Sequence, residues 1–132
     1  MDNQLTGVTV LVVDDGAGAR RDAERILGAW GCRVLGAVNG FDALSQVVDQ
    51  HPDIIFVDTV MPRLDGYQTC SLIKSNEAYA EIPVVLLAGS PDRFDRARGR
   101  VAGADGHLDK PLDPNALRAA VAHHLEIGRA HV

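Results

Sequence analysis

The chain has 132 residues, of which 46% are hydrophobic and 5% aromatic, and its formal net charge is −5. This length suits one domain with an aliphatic core, and the negative charge argues against a protein that binds nucleic-acid backbones. The sequence has neither a secretory signal nor an apolar run of about 18 residues that could span a membrane. Cys32 and Cys70 have no metal-binding spacing, which favours two reduced thiols in a cytoplasmic protein.

The first half of the chain alternates short apolar runs with amphipathic stretches. Runs at 8–13 and 54–57 are too short for helices and rich in β-branched residues, so they predict buried strands. Residues 32–37 predict a short second strand between them. Apolar residues at helical spacing predict two intervening helices, one burying Ala23, Ile26, Leu27 and Trp30, the other burying Phe41, Leu44, Val47 and Val48.

The second half continues the alternation. A helix is predicted over 67–74, a strand over 82–88, a helix over 92–102, a short strand over 106–109, and a last helix after Asp113-Pro114. Ser90 followed by Pro91 has the form of an N-cap for the fourth helix. In that polar helix, the candidates to pack inward are Phe94, Ala97 and Val101.

Five strand–helix alternations predict one parallel sheet with helices on both faces. The expected fold is α/β, a flavodoxin-like doubly wound five-stranded sheet of order 2-1-3-4-5 with five helices in three layers. We expect a single domain over residues 1–132, with its core at about 7–127.

Charged residues follow three of the predicted strands. Asp14 and Asp15 follow the first strand, Asp58 ends the third and Lys110 follows the fifth. Two close carboxylates repel each other by roughly 1–4 kcal/mol, and Mg²⁺ with its preference for oxygen ligands would offset that repulsion. Lys110 is suited to a phosphate oxygen. A carboxylate between Mg²⁺ and an ammonium group is a good phosphoryl acceptor, and Asp58 is our candidate.

Three further stretches carry a family resemblance: Leu11–Asp15 (LVVDD), Gly40–Leu44 (GFDAL) and Met61–Cys70 (MPRLDGYQTC). Together with Lys110-Pro111, they resemble the receiver domain of bacterial two-component response regulators over essentially the whole chain. The chain is particularly similar to stand-alone receivers of type IV pilus (twitching-motility) chemosensory systems.

This resemblance implies that Asp58 accepts a phosphoryl group from a sensor histidine kinase of the chemosensory type. It implies that Asp14, Asp15, Asp58 and the backbone carbonyl of Val60 hold Mg²⁺, and that Lys110 contacts the phosphoryl group. The Lys110-Pro111 peptide bond would be cis. Such a domain is not an enzyme, since it assists only its own phosphorylation and dephosphorylation. It would signal as a monomer or weak dimer to a protein target, for example one associated with the pilus motor.

Two positions depart from the family pattern. Ala88 stands where receivers usually carry a Ser or Thr that binds a phosphoryl oxygen, and Ser90 could replace that hydroxyl only if its loop were shifted. His107 stands where a Tyr or Phe usually swings inward on activation. An imidazole there could act as a smaller switch or as a pH-sensitive group, but a plain polar residue at an interface is the favoured interpretation.

Arginines dominate the predicted fourth helix. Arg93, Arg96 and Arg100 recur at i, i+3 and i+7 and form one basic face on an acidic domain. Such a face is most simply solvated surface, but it would also steer an acidic protein partner.

The sequence leaves two other functions open. A pseudo-receiver that works without phosphorylation is favoured by Ala88 and His107 alone. A Mg²⁺-dependent phosphohydrolase would want an acid two residues after Asp58, where this chain has Val60.

Overall fold

A computed structural model describes residues 4–89 and 94–126. In this part of the chain, strands and helices alternate throughout. The elements are β1 (Thr9–Val13), α1 (Ala17–Gly28), β2 (Arg33–Ala37), α2 (Gly40–Gln50), β3 (Ile54–Asp58), α3 (Gly66–Lys74), β4 (Val84–Ala88), α4 (Arg96–Ala102), β5 (Gly106–Asp109) and α5 (Pro114–His124).

The five strands form one parallel sheet of order β2-β1-β3-β4-β5. This confirms the predicted flavodoxin-like topology. β1 and β3 are neighbours in register, with Val13 beside Val57, and β4 lies beside β3 with Leu87 opposite Asp58. The carboxyl ends of all five strands therefore meet at one edge, where the connections from β1 and β3 diverge.

Two apolar layers cover the sheet, because successive side chains of a strand point to opposite faces. On one face, Leu11, Val13, Ile55 and Val57 pack with buried residues of α2, α3 and α4. On the other face, Val10, Val12, Ile54 and Phe56 pack with α1 and α5. Every residue of β3 and β4 is buried, which confirms the expected three layers. Within the described residues, no helix is long and apolar enough to cross a membrane.

Side-chain caps determine where several helices begin above the sheet edge. The Asp65 carboxylate accepts a hydrogen bond from the Gln68 amide, and the Gln68 side chain accepts one from the Asp65 amide, a reciprocal capping box. Asp113 caps α5 with Pro114 in its first turn, as predicted. These caps place α3 and α5 directly after the loops that carry the charged residues.

The fourth helix differs from its prediction. It begins at Arg96, not at Asp92, and Asp95 caps it by accepting a hydrogen bond from the Arg98 amide. Ser90, the predicted cap, lies outside the described residues. Val101, predicted to pack inward, is 88% exposed.

The inward face of α4 is made of small residues. Gly99 and Ala102 are its buried residues, and the Phe94 ring lies so close to Gly99 that a Cβ there would be 3.0 Å from it. Ala97 is exposed.

The second helix confirms its predicted stripe only in part. Val47 is buried and Leu44 packs against the core, as predicted, whereas Phe41 and Val48 are each 53% exposed. Gly40 and Ala43 are buried in addition, and such small residues let this helix lie close to the sheet.

Candidate functional site

Three carboxylates converge at the carboxyl edge of the sheet. Asp14 follows β1 directly and Asp58 is the last residue of β3, so strand pairing brings them together although 44 positions separate them (58 − 14). One oxygen each of Asp14, Asp15 and Asp58 lies within 4.8 Å of the others. Asp14 and Asp58 are buried and Asp15 is exposed.

Lys110 lies between the two buried carboxylates. Its Nζ donates to Asp14 Oδ2 at 2.8 Å and to Asp58 Oδ2 at 3.0 Å. Burial lowers the pKa of Lys110, but the hydrogen bonds that it donates to Asp14 and Asp58, together with their negative charges, outweigh burial, so the pKa of Lys110 lies above the ordinary value. The ammonium group is therefore fully charged at neutral pH.

Lys110 is held in place by the backbone around it. Its amide donates to the carbonyl of Ala88 at 2.8 Å, which fixes the loop after β5 beside the end of β4. The Lys110-Pro111 peptide bond is cis.

The remaining oxygen of each buried carboxylate accepts a backbone hydrogen bond. Gly16 donates its amide to Asp14 Oδ1 at 2.8 Å, and Val60 donates its amide to Asp58 Oδ1 at 3.0 Å. One oxygen of each carboxylate thus faces an amide and the other faces Lys110. This arrangement orients both carboxylates and leaves them capable of meeting a cation or an incoming phosphoryl group.

The residues after Asp58 leave the site open. Val60 is 64% exposed, so an apolar side chain borders the site on the solvent side. The carbonyl of Val60, which the family resemblance assigns to the metal, lies in this exposed turn. The role of this carbonyl as a metal ligand stays a prediction.

Several contributors to the site were missed from the sequence. Gly66 packs directly on the end of β3, where a Cβ would lie 2.8 Å from both the Asp58 carbonyl carbon and the Thr59 Cα, so only glycine fits. Arg20 donates to the backbone carbonyl of Asp14 at 2.5 Å, which brings a second cation beside the acidic cluster. The motif around Gly66 was visible in the sequence, but nothing local indicated that Arg20 points back to the sheet.

The two atypical positions face the α3–α4 side of the sheet. Ala88 ends β4 and is fully buried. Next to Asp58, Thr59 is only 4% exposed, and its hydroxyl has no hydrogen-bond partner within the described chain. The His107 ring stacks on Phe94, with centroids 3.9 Å apart and planes 9° from parallel.

An aromatic and ionic network connects this region to α3. The hydroxyl of Tyr67 accepts a hydrogen bond from the Asp95 amide at 2.9 Å, and its ring lies 6.2 Å from that of Phe94. The guanidinium group of Arg98 lies over the Tyr67 ring, 4.3 Å from its centroid, and binds Asp65 at 2.8 Å.

Two of the three predicted basic residues share one groove. Arg96 and Arg100 line a groove of about 280 Å³ between α4 and β5, together with Phe94 and His107. Arg93 lies outside the described residues.

The two cysteines take no part in the site. They are not joined in a disulfide, and burial raises the pKa of each thiol to about 11. Cys70 donates to the Ala102 carbonyl in the core. Both thiols are therefore poor nucleophiles at neutral pH.

Comparison with known proteins relates this geometry to signalling domains. The family described as response regulator receiver domain matches residues 10–122. The chain is 48% identical over 125 residues to Protein PilG of Pseudomonas aeruginosa, covering 95% of this chain and 93% of that protein. Other curated relatives are longer, and this chain spans less than half of their length.

Solved structures share the fold. The chemotaxis protein CheY4 of Vibrio cholerae superposes with a TM-score of 0.81 at 28% identity, covering 88% of this chain and 97% of that one. The signal receiver domain of a signal transduction histidine kinase from Syntrophus aciditrophicus gives 0.84 at 29% identity, covering 95% and 96%.

Proposed function

Because this chain belongs to the response regulator receiver domain family, we propose that it is a phosphorylation-dependent signalling receiver whose acceptor is Asp58. The observation that carries the proposal is the position of Lys110, whose Nζ touches carboxylate oxygens of both Asp14 and Asp58. An ammonium group beside the acceptor stabilises the charge that a phosphoryl group brings.

The chemistry is a transfer between two nucleophiles. The bond between phosphorus and a kinase histidine nitrogen breaks, and a bond forms between phosphorus and an oxygen of Asp58. The electron pair of the broken bond stays on the nitrogen, and because the other ring nitrogen carries a proton, the histidine leaves as neutral imidazole. Lys110 would then contact an oxygen of the transferred group, while the Val60 amide holds the acceptor carboxylate in orientation.

Receiver domains bind Mg²⁺ at their acidic pocket, and the oxygen donors of this chain fit that ion. Asp14, Asp15 and Asp58 would hold it, together with the backbone carbonyl of Val60. When bound, Mg²⁺ supplies positive charge that offsets the crowded carboxylates and the phosphoryl oxygens. Lys110 occupies one carboxylate oxygen of Asp14 and one of Asp58, so it would share these residues with the ion.

The route from the acceptor to a partner is where this chain departs from its family. Ala88 offers no hydroxyl to the phosphoryl group, and His107 is held against Phe94. We infer that phosphorylation survives while the surface change is altered. If phosphorylation proved absent, the pseudo-receiver would be the better account.

The partners follow from the same family. We propose a chemosensory-type histidine kinase as donor and a downstream protein, pilus-motor associated, as target. The basic groove lined by Arg96 and Arg100 would face an acidic partner. Arg93, predicted as part of the same basic face, lies outside the described residues. The protein would act in the cytoplasm as one receiver domain, monomeric or weakly dimeric.

The test is phosphorylation of the full chain with acetyl phosphate and Mg²⁺, followed by intact mass measurement. We expect a stable adduct of one phosphoryl group that is absent from Asp58→Asn. An Asp58→Asn protein that took up the label equally would refute the acceptor assignment. Steady release of phosphate without an adduct would indicate a phosphohydrolase.

A second comparison addresses the switch. Ala88→Thr restores a hydroxyl at the end of β4, and we expect larger phosphorylation-dependent changes in partner binding. Identical changes in both proteins would show that this hydroxyl is not the missing element.

A further inference from the structure

A buried hydroxyl lies directly after the acceptor residue. Thr59 is 4% exposed, and its Oγ1 has no hydrogen-bond partner among the described residues. Its backbone, by contrast, is bonded at both ends: the amide donates to the Leu87 carbonyl at 3.0 Å, and the carbonyl accepts from the Gly66 amide at 3.2 Å. A buried hydroxyl without a partner lowers stability and is uncommon in folded proteins. Thr59 therefore holds a buried donor, on a fixed backbone, that the other described residues do not use.

Strand pairing places Thr59 beside Ala88. Asp58 is opposite Leu87 in the register of β3 and β4, and the bond from the Thr59 amide to the Leu87 carbonyl carries the same pairing one residue further. Thr59 and Ala88 are thus neighbours across the two strands, about 4.8 Å apart, which is the ordinary spacing of strands in a sheet. Ala88 is fully buried and has only a methyl side chain, so it gives the Thr59 hydroxyl no partner.

Thr59 and Ala88 also point to the same face of the sheet. Val57 and Leu86, two residues earlier in each strand, both pack in the layer of α2, α3 and α4, and the direction of side chains along a strand repeats every second residue. The Ala88 position is where receivers usually carry the hydroxyl that binds a phosphoryl oxygen. This chain therefore keeps a hydroxyl on the same face of the same sheet edge, displaced by one strand onto the strand that carries Asp58.

The turn after Asp58 holds Thr59 beside the acceptor carboxylate. The Val60 amide donates to Asp58 Oδ1 at 3.0 Å, which closes a turn around Thr59, and Asp58 Oδ2 accepts from Lys110. A phosphoryl group on Asp58 would bring three further oxygens to the end of β3. Lys110 would contact one of them. Rotation of the Thr59 side chain about χ1 would turn its hydroxyl toward another without moving the backbone.

We propose that the Thr59 hydroxyl donates a hydrogen bond to an oxygen of the phosphoryl group on Asp58, in place of the hydroxyl that Ala88 does not have. This inference rests on the proposed function of Asp58 as the acceptor. The bond exists only in the phosphorylated chain, so it stabilises that form selectively, while the unphosphorylated form bears the cost of a buried donor without a partner. Thr59 is then a contact residue for the phosphoryl group.

The test uses the full-length chain and beryllofluoride, which with Mg²⁺ forms a phosphoryl-like adduct on a carboxylate. Fluorine NMR measures both the affinity and the signals of the bound fluorides. Thr59→Val keeps the shape of the side chain without the hydroxyl. We expect it to bind beryllofluoride about tenfold more weakly, because it loses a hydrogen bond to a charged group, and to shift a bound fluorine signal. Thr59→Ser keeps the hydroxyl and should keep the wild-type affinity.

The unliganded proteins separate this role from a structural one. Thr59→Val should unfold in urea at a midpoint equal to or above that of wild type, so that the substitution weakens ligand binding without weakening the fold. Thr69→Val is the matched control, because Thr69 is a fully buried threonine whose hydroxyl donates to the Asp65 carbonyl. It should bind beryllofluoride as tightly as wild type.

Equal beryllofluoride affinities of wild type and Thr59→Val would overturn the proposal, as would a Thr59→Ser protein that binds as weakly as Thr59→Val. A Thr59→Val protein that loses affinity and urea stability together would assign Thr59 to the core instead. In each of these cases an adduct that forms on wild type and not on Asp58→Asn would leave the acceptor assignment standing. A wild-type chain that forms no adduct would refute the proposed function and this inference with it.

Discussion

Replacing Lys110 by methionine removes the positive charge between two buried carboxylates while keeping a side chain of similar length. The oxygens of Asp14 and Asp58 lie within 4.8 Å of each other, where two unit charges at an effective dielectric of 20 repel by about 3.5 kcal/mol. The Lys110 side chain is 25% exposed, so water moderates this repulsion. We expect the free energy of unfolding to fall by about 1–3 kcal/mol at neutral pH in the presence of a chelator.

The sign of the pH dependence follows from the raised pKa of Lys110. Its stabilisation is complete below the ordinary lysine pKa and disappears as the pH rises through the folded-state value. The difference in unfolding free energy between wild type and Lys110→Met should therefore be present at neutral pH and shrink only above the ordinary lysine pKa. Urea denaturation, followed by the fluorescence of the single tryptophan, Trp30, measures this difference in unfolding free energy at each pH.

Mg²⁺ distinguishes this loss from ordinary destabilisation. Because the ion no longer competes with an ammonium group, Lys110→Met should bind Mg²⁺ several-fold more tightly and regain stability at millimolar Mg²⁺. Lys74→Met is the control, since Lys74 pairs with Asp105 at 2.7 Å on the other side of the domain. It should lose stability that Mg²⁺ does not restore. Unchanged stability of Lys110→Met in chelator, or equal recovery of both variants, would refute this reasoning.

Three further predictions concern stability. Gly66→Ala forces a Cβ against the carbonyl at the end of β3 and should lower the free energy of unfolding by about 2–4 kcal/mol. Gly28→Ala is the control, because Gly28 has open space around it, and it should leave that free energy unchanged or raise it by up to about 1 kcal/mol. Equal denaturation midpoints of the two variants would contradict this. Thr59→Val removes a buried hydroxyl that has no hydrogen-bond partner among the described residues, and it should raise the free energy of unfolding by about 1 kcal/mol. Thr69→Val removes a hydroxyl that donates a hydrogen bond, and it should lower the free energy of unfolding by about 1 kcal/mol. Burial, together with the charge of a neighbouring histidine, lowers the pKa of His124. The free energy of unfolding of the wild type should therefore fall as the pH drops below about 6.5, and that of His124→Gln should fall less. Parallel profiles of unfolding free energy against pH would show that His124 does not contribute.

Much of the fold could be predicted from local patterns. Short apolar runs such as Ile54–Val57 are too short for helices and favour strands buried on both faces. Their alternation with helices leaves few possible topologies. The acidic cluster followed from the same logic, because parallel strands bring their carboxyl ends to one edge. Asp14 and Asp58 meet there as that logic requires.

The fourth helix shows where local patterns fail. The Ser90-Pro91 pair predicted the N-cap of this helix, whereas Asp95 caps the helix in the structure. In the structure, the Asp95 amide donates to Tyr67 on α3, and Phe94 packs between Gly99 and His107. These contacts with other elements, rather than cap propensity, place the start of α4 at Arg96 and turn Val101 to solvent.

The sequence by itself therefore determined the strand order, the acidic edge and the candidate acceptor, because these depend on periodicity and on the direction of parallel strands. The tertiary structure alone decided that Lys110 bridges Asp14 and Asp58, that Gly66 lies against the end of β3, and that α4 turns an apolar residue outward. Each of these depends on the distance between side chains that are far apart in the chain, and local patterns carry no information about such distances.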